Sequence, residues 1–330
     1  MGYNLGTSTD ETEVERDQRD YDRAKDQERQ EAQDSRRKLS SPAQGEEAMV
    51  TQKKTKPVPV VEIFGPTIEG EGAIIGTQTM FIRFGLCDYK CKMCDSMHAV
   101  DPKLVKALAS WLPPAQIAED LLALMELNKA SHIQNVTFSG GNPAIHDLGE
   151  LVDLLHLHGK KVIVETQGTK CPDWLLGVDH LVVSPKSPGM GEAFDPKVFL
   201  EFMYKVVSAY VDVSVKIVVF SAQDLEFAAA VAELLAVNFG PETDKVFVLE
   251  HQFFLSLGNP QPPTFVKMGD DEEESQTVVD TRVTTKMALV EELMLRYNLL
   301  SMEIMKDPRL SFARFLPQLH VLVWGNETGK

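Results

Sequence analysis

The chain has 330 residues, 43% of them hydrophobic and 25% charged, and a formal net charge of −16. These values predict a globular protein of one large or two smaller domains, and no apolar run approaches the roughly 20 residues of a membrane-spanning helix. Because the acidic balance disfavours nucleic acid and the polar N-terminus lacks a signal-peptide core, we expect a cytoplasmic protein that binds neither membrane nor nucleic acid directly.

The N-terminal part differs in composition from the rest of the chain. Residues 10–37 are dense in charged side chains and glutamine, with almost no large apolar residue. Such a segment cannot bury enough apolar surface to offset the entropy lost on ordering. We therefore predict a disordered tail and linker over residues 1–57, with a partner-docking charged helix as the alternative, and a folded catalytic domain over residues 58–330.

Strand and helix patterns alternate along the folded part. Apolar, β-branched runs predict strands at 60–64, 80–84, 135–138, 161–164, 181–183, 213–220 and 245–249. Helical patterns occur at 113–130, 148–157, 222–237 and 284–300. This alternation predicts an α/β fold with a parallel sheet. Residues 252–280, rich in proline and acidic side chains, predict an exposed, mobile inserted loop or a lid, and residues 315–325 a closing strand-like segment.

Three of the four cysteines are clustered directly after the second predicted strand. Cys87, Cys91 and Cys94 have the spacing C-x3-C-x2-C, and Cys171 stands alone as a bystander thiol. Three thiolates can hold three irons of a 4Fe–4S cluster and leave the fourth iron open, whereas electron-transfer clusters and structural zinc sites have four ligands. This spacing is typical of the radical S-adenosylmethionine (SAM) superfamily. The alternative from another class is a zinc-stabilised binding module with His98 as the fourth ligand.

Polar and glycine-rich motifs follow several predicted strands. They are Ser139-Gly140-Gly141-Asn142-Pro143, Glu165-Thr166-Gln167-Gly168-Thr169 and Ser184-Pro185-Lys186. Since ligands bind at the carboxyl ends of parallel strands, we expect these motifs to meet the cysteine loop at one edge of the sheet.

Together these motifs resemble the 7-carboxy-7-deazaguanine synthases, a radical SAM family, over about residues 58–330. The more specific matches are Ile68-Glu69-Gly70-Glu71-Gly72 before the cysteines and Pro317-Gln318-Leu319-His320 near the C-terminus. The resemblance implies a shortened, partly open (β/α) barrel, a homodimer, and an electron donor such as flavodoxin or ferredoxin. It implies a carbon–nitrogen lyase of queuosine-type biosynthesis that converts 6-carboxy-5,6,7,8-tetrahydropterin to 7-carboxy-7-deazaguanine and ammonia. An activating enzyme for a glycyl-radical protein remains the alternative.

The resemblance also implies individual roles. The cluster would be held by Cys87, Cys91 and Cys94, and Mg²⁺ by the Ser96 hydroxyl. SAM would be bound by Gly140, Gly141, Asn142, Glu165, Ser184 and Lys186. The pterin would contact Ile68, Gly70, Glu71, Gly72, Arg83, Ser139, Gln318 and His320.

From the residues alone, simpler explanations stay open for several of these positions. Arg83 is expected to pair with the substrate carboxylate through its guanidinium fork, or else with Glu62 or Glu71. Glycines 140 and 141 would let backbone approach SAM, or form an ordinary turn. Three departures from the usual family pattern are Glu69 for Gln, Asn142 for Glu, and Ser96 for Thr. We expect Asn142 to weaken the contact with the SAM amino group.

Overall fold

The computed structural model of the protein describes residues 56–240, 247–260, 265–268, 277–280, 286–325 and 327. The predicted disordered tail at 1–57 lies outside the described residues except for positions 56 and 57. The acidic run at 270–274, part of the predicted mobile loop, lies outside them as well.

Nine strands of the described chain form one sheet. They are β1 (Val58–Ile68), β2 (Gln78–Phe84), β3 (Ser110–Leu112), β4 (Asn135–Gly140), β5 (Lys161–Thr166), β6 (His180–Val183), β7 (Val213–Val219), β8 (Phe253–Leu257) and β11 (Arg314–Leu316). A separate antiparallel pair consists of β9 (Phe265–Met268) and β10 (Thr277–Asp280).

The main sheet is open and largely parallel. Its order is β11-β8-β7-β6-β5-β4-β2-β1-β3. Every pairing from β2 to β11 is parallel, and β1 runs antiparallel to both β2 and β3. Because β11 and β3 form two separate edges, the sheet does not close into a barrel. The predicted α/β class and partly open architecture are therefore confirmed.

Eight helices of the described chain accompany the sheet. They are α1 (Pro102–Leu108), α2 (Pro114–Leu127), α3 (Gly149–Leu157), α4 (Pro196–Ser208), α5 (Ala222–Phe239), α6 (Leu249–Gln252), α7 (Lys286–Lys306) and α8 (Leu319–Trp324). Asp101 and Asp195 cap α1 and α4, each just before a proline, and this combination favours a helix start. Within the described chain, no helix is long and apolar enough to span a membrane.

The central strands are buried and hold the site rigidly. All four residues of β6 and nearly all of β7 are buried. On strands β2 and β4, which pair with each other, Phe84 and Phe138 are fully buried and pack edge to face, with ring centroids 5.4 Å apart. Truncating one such ring to alanine typically costs about 3–5 kcal/mol of unfolding free energy. The loops that follow these strands therefore start from a fixed framework.

The structure confirms most predicted elements and overturns three. Residues 247 and 248 have no regular structure and α6 begins at Leu249, so the predicted strand at 245–249 is wrong; residues 245 and 246 lie outside the described chain. The exposed loop predicted from 252 is wrong at its start, where β8 is entirely buried between β7 and β11. The closing strand-like segment is wrong beyond Leu316, because Pro317 follows β11 and α8 begins after Gln318.

Candidate active site

The cysteine loop leaves the carboxyl end of β2 and is braced by residues that follow β6. The Lys92 N–H donates to Met190 O at 2.8 Å, and the Lys90 N–H donates to Glu192 Oε1 at 2.6 Å. Within the loop, the Cys94 N–H donates to Cys91 O at 3.2 Å. These contacts give the three-cysteine segment a defined backbone path.

All the cysteine thiols are unpaired, as a cluster site requires. Burial raises the pKa of Cys91 to about 11 and that of Cys94 to about 12, and the Lys186 ammonium opposes the rise at all three clustered cysteines. Lys186 Nζ also donates to Ser184 Oγ at 3.2 Å. The cation near these thiols favours their anionic form, which is the form that binds iron.

Asp88, next to the first cysteine, ties the loop to two strand ends. Its Oδ1 accepts hydrogen bonds from Asn142 Nδ2 at 2.9 Å and from Gln167 Nε2, and its Oδ2 accepts one from Thr169 Oγ1 at 2.5 Å. The Gln167 amide also lies 3.7 Å from Cys87 Sγ. We did not predict Asp88 from the sequence; an acidic side chain inside a cysteine motif was the available signal.

Asn142 is engaged within the protein. Its side chain is fully buried, and its Oδ1 accepts hydrogen bonds from Thr166 Oγ1 at 2.9 Å and from the Ala144 N–H at 3.1 Å. A glutamate at this position would bring a second carboxylate towards Asp88, and like charges in contact are unfavourable. The departure from the family pattern at Asn142 therefore has a local explanation.

The two glycines before Asn142 allow a close approach of two loops. A Cβ on Gly140 would lie 2.2 Å from Phe84 O, and one on Gly141 would lie 1.7 Å from Leu86 O. Gly140 also has a positive φ of 119°, which favours glycine. The structure thus supplies a reason for both glycines that does not involve a ligand.

A polar cavity opens beside these loops, and strands β1, β2, β4, β5 and β7 together with α8 contribute to its wall. The predicted site residues that line it are Ile68, Gly70, Glu71, Arg83, Ser96, Ser139, Glu165 and His320. Two further predicted residues contact these lining residues. Gln318 donates a hydrogen bond to Glu71, and Gly72 lies next to Lys216 and Val182. Glycines 140 and 141, Asn142, Ser184, Lys186 and the three cysteines are not among the described lining residues.

Arg83 is held at one end of the cavity. Its Nε donates to Glu62 Oε1 at 2.5 Å, its Nη1 donates to Ser96 Oγ at 3.1 Å, and its guanidinium lies 5.4 Å from the centre of the Phe64 ring. Burial alone would raise the pKa of Glu62, but His98 and Arg83 outweigh it and lower that pKa to about 2. The alternative of an Arg83–Glu62 ion pair is therefore present in the structure.

Glu71, Glu165 and Lys216 form a second charged group of the lining. Lys216 Nζ donates to Glu71 Oε2 and lies 3.3 Å from Glu165 Oε1. Glu165 Oε2 accepts a hydrogen bond from Ser139 Oγ at 2.7 Å, and Glu71 Oε1 accepts one from Gln318 Nε2. Burial opposes ionisation of both carboxyls, but the Lys216 ammonium outweighs it and lowers both pKa values.

Lys216 was not predicted as a site residue. It stands in strand β7, which is otherwise apolar except for Ser214, and its side chain is almost fully buried. A lysine in a buried strand needs an anionic partner, so this position was the available signal. Its partners come from distant segments and were not evident from spacing.

The C-terminal motif closes the cavity over the glycine-rich loop. The Leu319 N–H donates to Gly70 O at 2.9 Å. A Cβ on Gly70 would lie 2.1 Å from His320 Nδ1, so only glycine fits beneath this ring. The two most specific sequence motifs thus meet in space.

His98 faces the arginine end of the cavity. His98 Nε2 lies 3.6 Å from Glu62 Oε1. Among the described residues, no group of three or more histidine, cysteine, aspartate or glutamate side chains is arranged to hold a metal ion by itself. The contact of His98 with Glu62 disfavours the zinc module, which required His98 as a ligand beside the cysteines.

The open parallel sheet, the three-cysteine loop after β2 and the adjoining polar cavity define an α/β enzyme of the radical SAM type. No family model matches the chain. It is 34% identical over 273 residues to the 7-carboxy-7-deazaguanine synthase of Bacillus cereus, covering 82% of this chain and 98% of that protein. The corresponding Bacillus subtilis protein is 34% identical over 277 residues, covering 83% and 99%.

A solved structure of QueE from Escherichia coli has 28% identity and a TM-score of 0.43, covering 61% of this chain and 82% of that chain. On the identity and coverage of the Bacillus relatives, the chain belongs to the 7-carboxy-7-deazaguanine synthase family. The predicted family, lyase class and function are confirmed, and membership implies SAM and a 4Fe–4S cluster as cofactors.

Proposed function

We propose that the cavity binds 6-carboxy-5,6,7,8-tetrahydropterin and that the protein converts it to 7-carboxy-7-deazaguanine with release of ammonia. The observation that carries this proposal is that the cavity lining holds both the Arg83 guanidinium and the Glu71–Lys216–Glu165 group. A ligand that has a carboxylate and a row of N–H donors complements these two groups.

The donor chemistry of the cysteine loop fits a 4Fe–4S cluster. Cys87, Cys91 and Cys94 would hold it, and Asp88 would fix the loop. We propose that Gly140, Gly141, Asn142, Glu165, Ser184 and Lys186 surround SAM. When bound, the cluster and SAM supply a carbon radical that removes a hydrogen atom from the substrate. The protein orients the substrate and excludes water from the reacting centre.

Arg83 would fix the substrate carboxylate. Its contacts with Glu62 and Ser96 engage Nε and Nη1, so a carboxylate can approach from the Nη2 side of the guanidinium. Held in this way, the planar fork is preorganised and loses little further freedom on binding. The ion pair with Glu62 is thus compatible with the substrate role of Arg83.

Glu71 would recognise the guanidine-like edge of the pterin. Lys216 keeps Glu71 ionised, and Gln318 fixes the orientation of its carboxylate. An ionised carboxylate accepts hydrogen bonds from two neighbouring N–H groups. We propose that the remaining contacts come from Ile68, Gly70, Gly72, Ser139 and His320.

A Mg²⁺ ion would bind beside Ser96. The Ser96 hydroxyl donates to Asp95 Oδ1 at 3.0 Å and accepts from Arg83, so a hydroxyl and a carboxylate oxygen lie together at the cavity. These are the hard oxygen ligands that Mg²⁺ prefers, with water and substrate completing its shell.

The remaining proposals concern the organisation of the enzyme. Residues 58–330 would form the catalytic domain and act as a homodimer, with the part of the 252–280 segment that follows β8 as an insertion. An electron donor such as flavodoxin or ferredoxin would reduce the cluster. Thiolate ligands are maintained in a reducing compartment, which supports a cytoplasmic location.

The test is anaerobic turnover of the reconstituted protein with the tetrahydropterin, SAM and a reductant, followed by mass spectrometry. We expect 7-carboxy-7-deazaguanine and ammonia in equal amounts. Cys94→Ala is the inactive control and Cys171→Ala the matched active control. Activation of a glycyl-radical protein without pterin turnover would replace the proposal with the activating-enzyme alternative.

A further inference from the structure

Glu69 is a buried carboxyl group in the cavity wall. Its side chain is 5% exposed. Oε1 accepts a hydrogen bond from the Gly70 N–H at 3.1 Å, and Oε2 lies 3.2 Å from Thr137 Oγ1. Burying a carboxylate without a cation is costly, so its partners decide whether this group is ionised.

The partners of Oε2 form a chain of hydroxyl groups that ends at the backbone. Thr137 Oγ1 lies 2.9 Å from Thr79 Oγ1, which lies 3.0 Å from Met80 O and 3.3 Å from Asn135 O. Both threonine side chains are fully buried.

The hydrogens in this chain can be counted. Each hydroxyl carries one hydrogen, and the backbone carbonyl can only accept. If Thr79 donates its hydrogen to a backbone carbonyl, Met80 O or Asn135 O, then Thr137 must donate its hydrogen to Thr79. The remaining bond, between Thr137 and Glu69, then needs a hydrogen from the Glu69 carboxyl. An ionised Glu69 would turn both hydroxyls around and leave the carbonyl without the Thr79 bond. The arrangement in which every link is a hydrogen bond therefore has a protonated Glu69.

The surrounding charges favour the same state. Lys216 is the one ammonium in the described lining of the cavity, and it contacts Glu71 and Glu165. The other titratable side chains of this lining are Arg83 from β2, His320 from α8, and Asp95, His98 and Glu327. Burial, followed by the Glu165 carboxylate, raises the pKa of Glu69 from 4.5 to about 8, although Lys216 opposes the rise.

We propose that Glu69 remains protonated at neutral pH and thereby sets the charge of the cavity, so that it accepts a substrate carrying a carboxylate. Loss of this proton adds a further carboxylate to a wall that already holds Glu71, Asp95, Glu165 and Glu327, and weakens binding of the anionic substrate. The inference rests on the proposed function. It also accounts for a glutamate at a position where the family usually has neutral glutamine.

The pH dependence has a defined sign. Because the pKa of Glu69 is higher in the folded than in the unfolded protein, its stabilising effect is fully present below about pH 4.5. That effect is lost as the pH rises to about 8. As the pH rises from 4.5 to 8, the thermal midpoint of the wild type should therefore decrease relative to that of Glu69→Gln, which does not titrate at this position. The difference between the two midpoints should change by at least about 3 °C over this range.

The experiment uses the full-length, anaerobically reconstituted enzyme in three forms: wild type, Glu69→Gln, and the surface control Glu126→Gln. Infrared spectra recorded across this pH range would detect the carbonyl stretch of a protonated carboxyl, which a carboxylate lacks. KM for the tetrahydropterin is measured at pH 7 and pH 9. Ionisation of the pterin itself affects all three proteins equally, so their comparison isolates Glu69.

We expect a carboxyl band that titrates near pH 8 in the wild type and in the control, and that is absent in Glu69→Gln. The KM ratio between pH 9 and pH 7 should be about tenfold in the wild type and control, and within about twofold in Glu69→Gln. Normal turnover without this band, or with equal KM ratios in all three proteins, would overturn the inference. A titrating band without pterin binding at any pH would overturn the proposed function and, with it, the role of Glu69 towards the substrate.

Discussion

At the residue scale, Arg83 gives the most direct test of the substrate pocket. Losing one buried, charge-assisted contact costs about 1.5–3 kcal/mol, and about 1.4 kcal/mol corresponds to a tenfold change in affinity. Arg83→Ala should therefore raise KM for the tetrahydropterin by at least about tenfold. Iron content should stay at the wild-type level, since Arg83 is not one of the residues expected to bind the cluster. The measurement is pterin-dependent turnover beside an iron assay.

Arg83→Lys is the matched control for charge. It keeps a cation near Glu62 but cannot form a bidentate fork, so it should recover only part of the lost affinity. If Arg83→Ala keeps normal KM and kcat, the substrate carboxylate binds elsewhere in the cavity.

Lys216 tests the second charged group of the cavity through stability. Lys216→Met leaves Glu71 and Glu165 buried without their shared cation. Breaking a buried ion pair by removing one partner costs about 3–5 kcal/mol, so the free energy of unfolding should fall by about that amount at neutral pH. Anaerobic urea unfolding measures it, with the exposed Lys161→Met as the control. Equal stability of the two variants would contradict the central role assigned to Lys216.

At the element scale, local sequence patterns predicted where the site lies but not which of its side chains contact each other. The strand before Cys87 and the strand ends at Ser139 and Glu165 were predicted, because a strand and the loop after it are neighbours in sequence. The Lys216 contact with Glu71 joins residues 145 positions apart, and no spacing rule indicates such a pair. Asp88 was missed for the same reason, since its partners follow β4 and β5.

One of the misassigned elements has an identifiable physical cause. The run Phe253–Leu257 forms β8 because it pairs with β7 along one edge and with β11 along the other, and β11 comes from near the C-terminus. The prolines that suggested a loop lie after this strand. Tertiary pairing therefore decided a segment whose local composition pointed elsewhere.

Alanine variants of the four cysteines test whether the cluster ligands are those of the cysteine loop and exclude Cys171. We expect Cys87→Ala, Cys91→Ala and Cys94→Ala each to lose activity and most bound iron after anaerobic reconstitution. Cys171→Ala should keep both, because Cys171 packs against the hydrophobic core rather than in this loop. Iron content and visible absorbance measure the effect. A cluster-free Cys171→Ala protein would mean that the ligand set is wrong.

At the scale of the whole molecule, the site is assembled from both ends of the folded chain. The Gln318–Glu71 hydrogen bond joins residues 247 positions apart, and the Leu319–Gly70 bond lies beside it. The loop after β1 and the helix α8 therefore form their part of the cavity together, although they come from the two ends of the described sheet.

The same assembly predicts which part of the chain catalysis does not need. Every strand and helix of the described sheet begins at or after Val58, and the described cavity lining begins at Phe64. The composition of residues 10–37 also provides no apolar face for packing on this unit. Deleting residues 1–56 should therefore leave kcat and KM within about twofold of the full-length values. Anaerobic turnover and iron content of both proteins measure this, with dimer formation followed by light scattering. A large loss of turnover at unchanged iron content would assign the deleted residues to the substrate site, whereas loss of the dimer would assign them to the subunit interface.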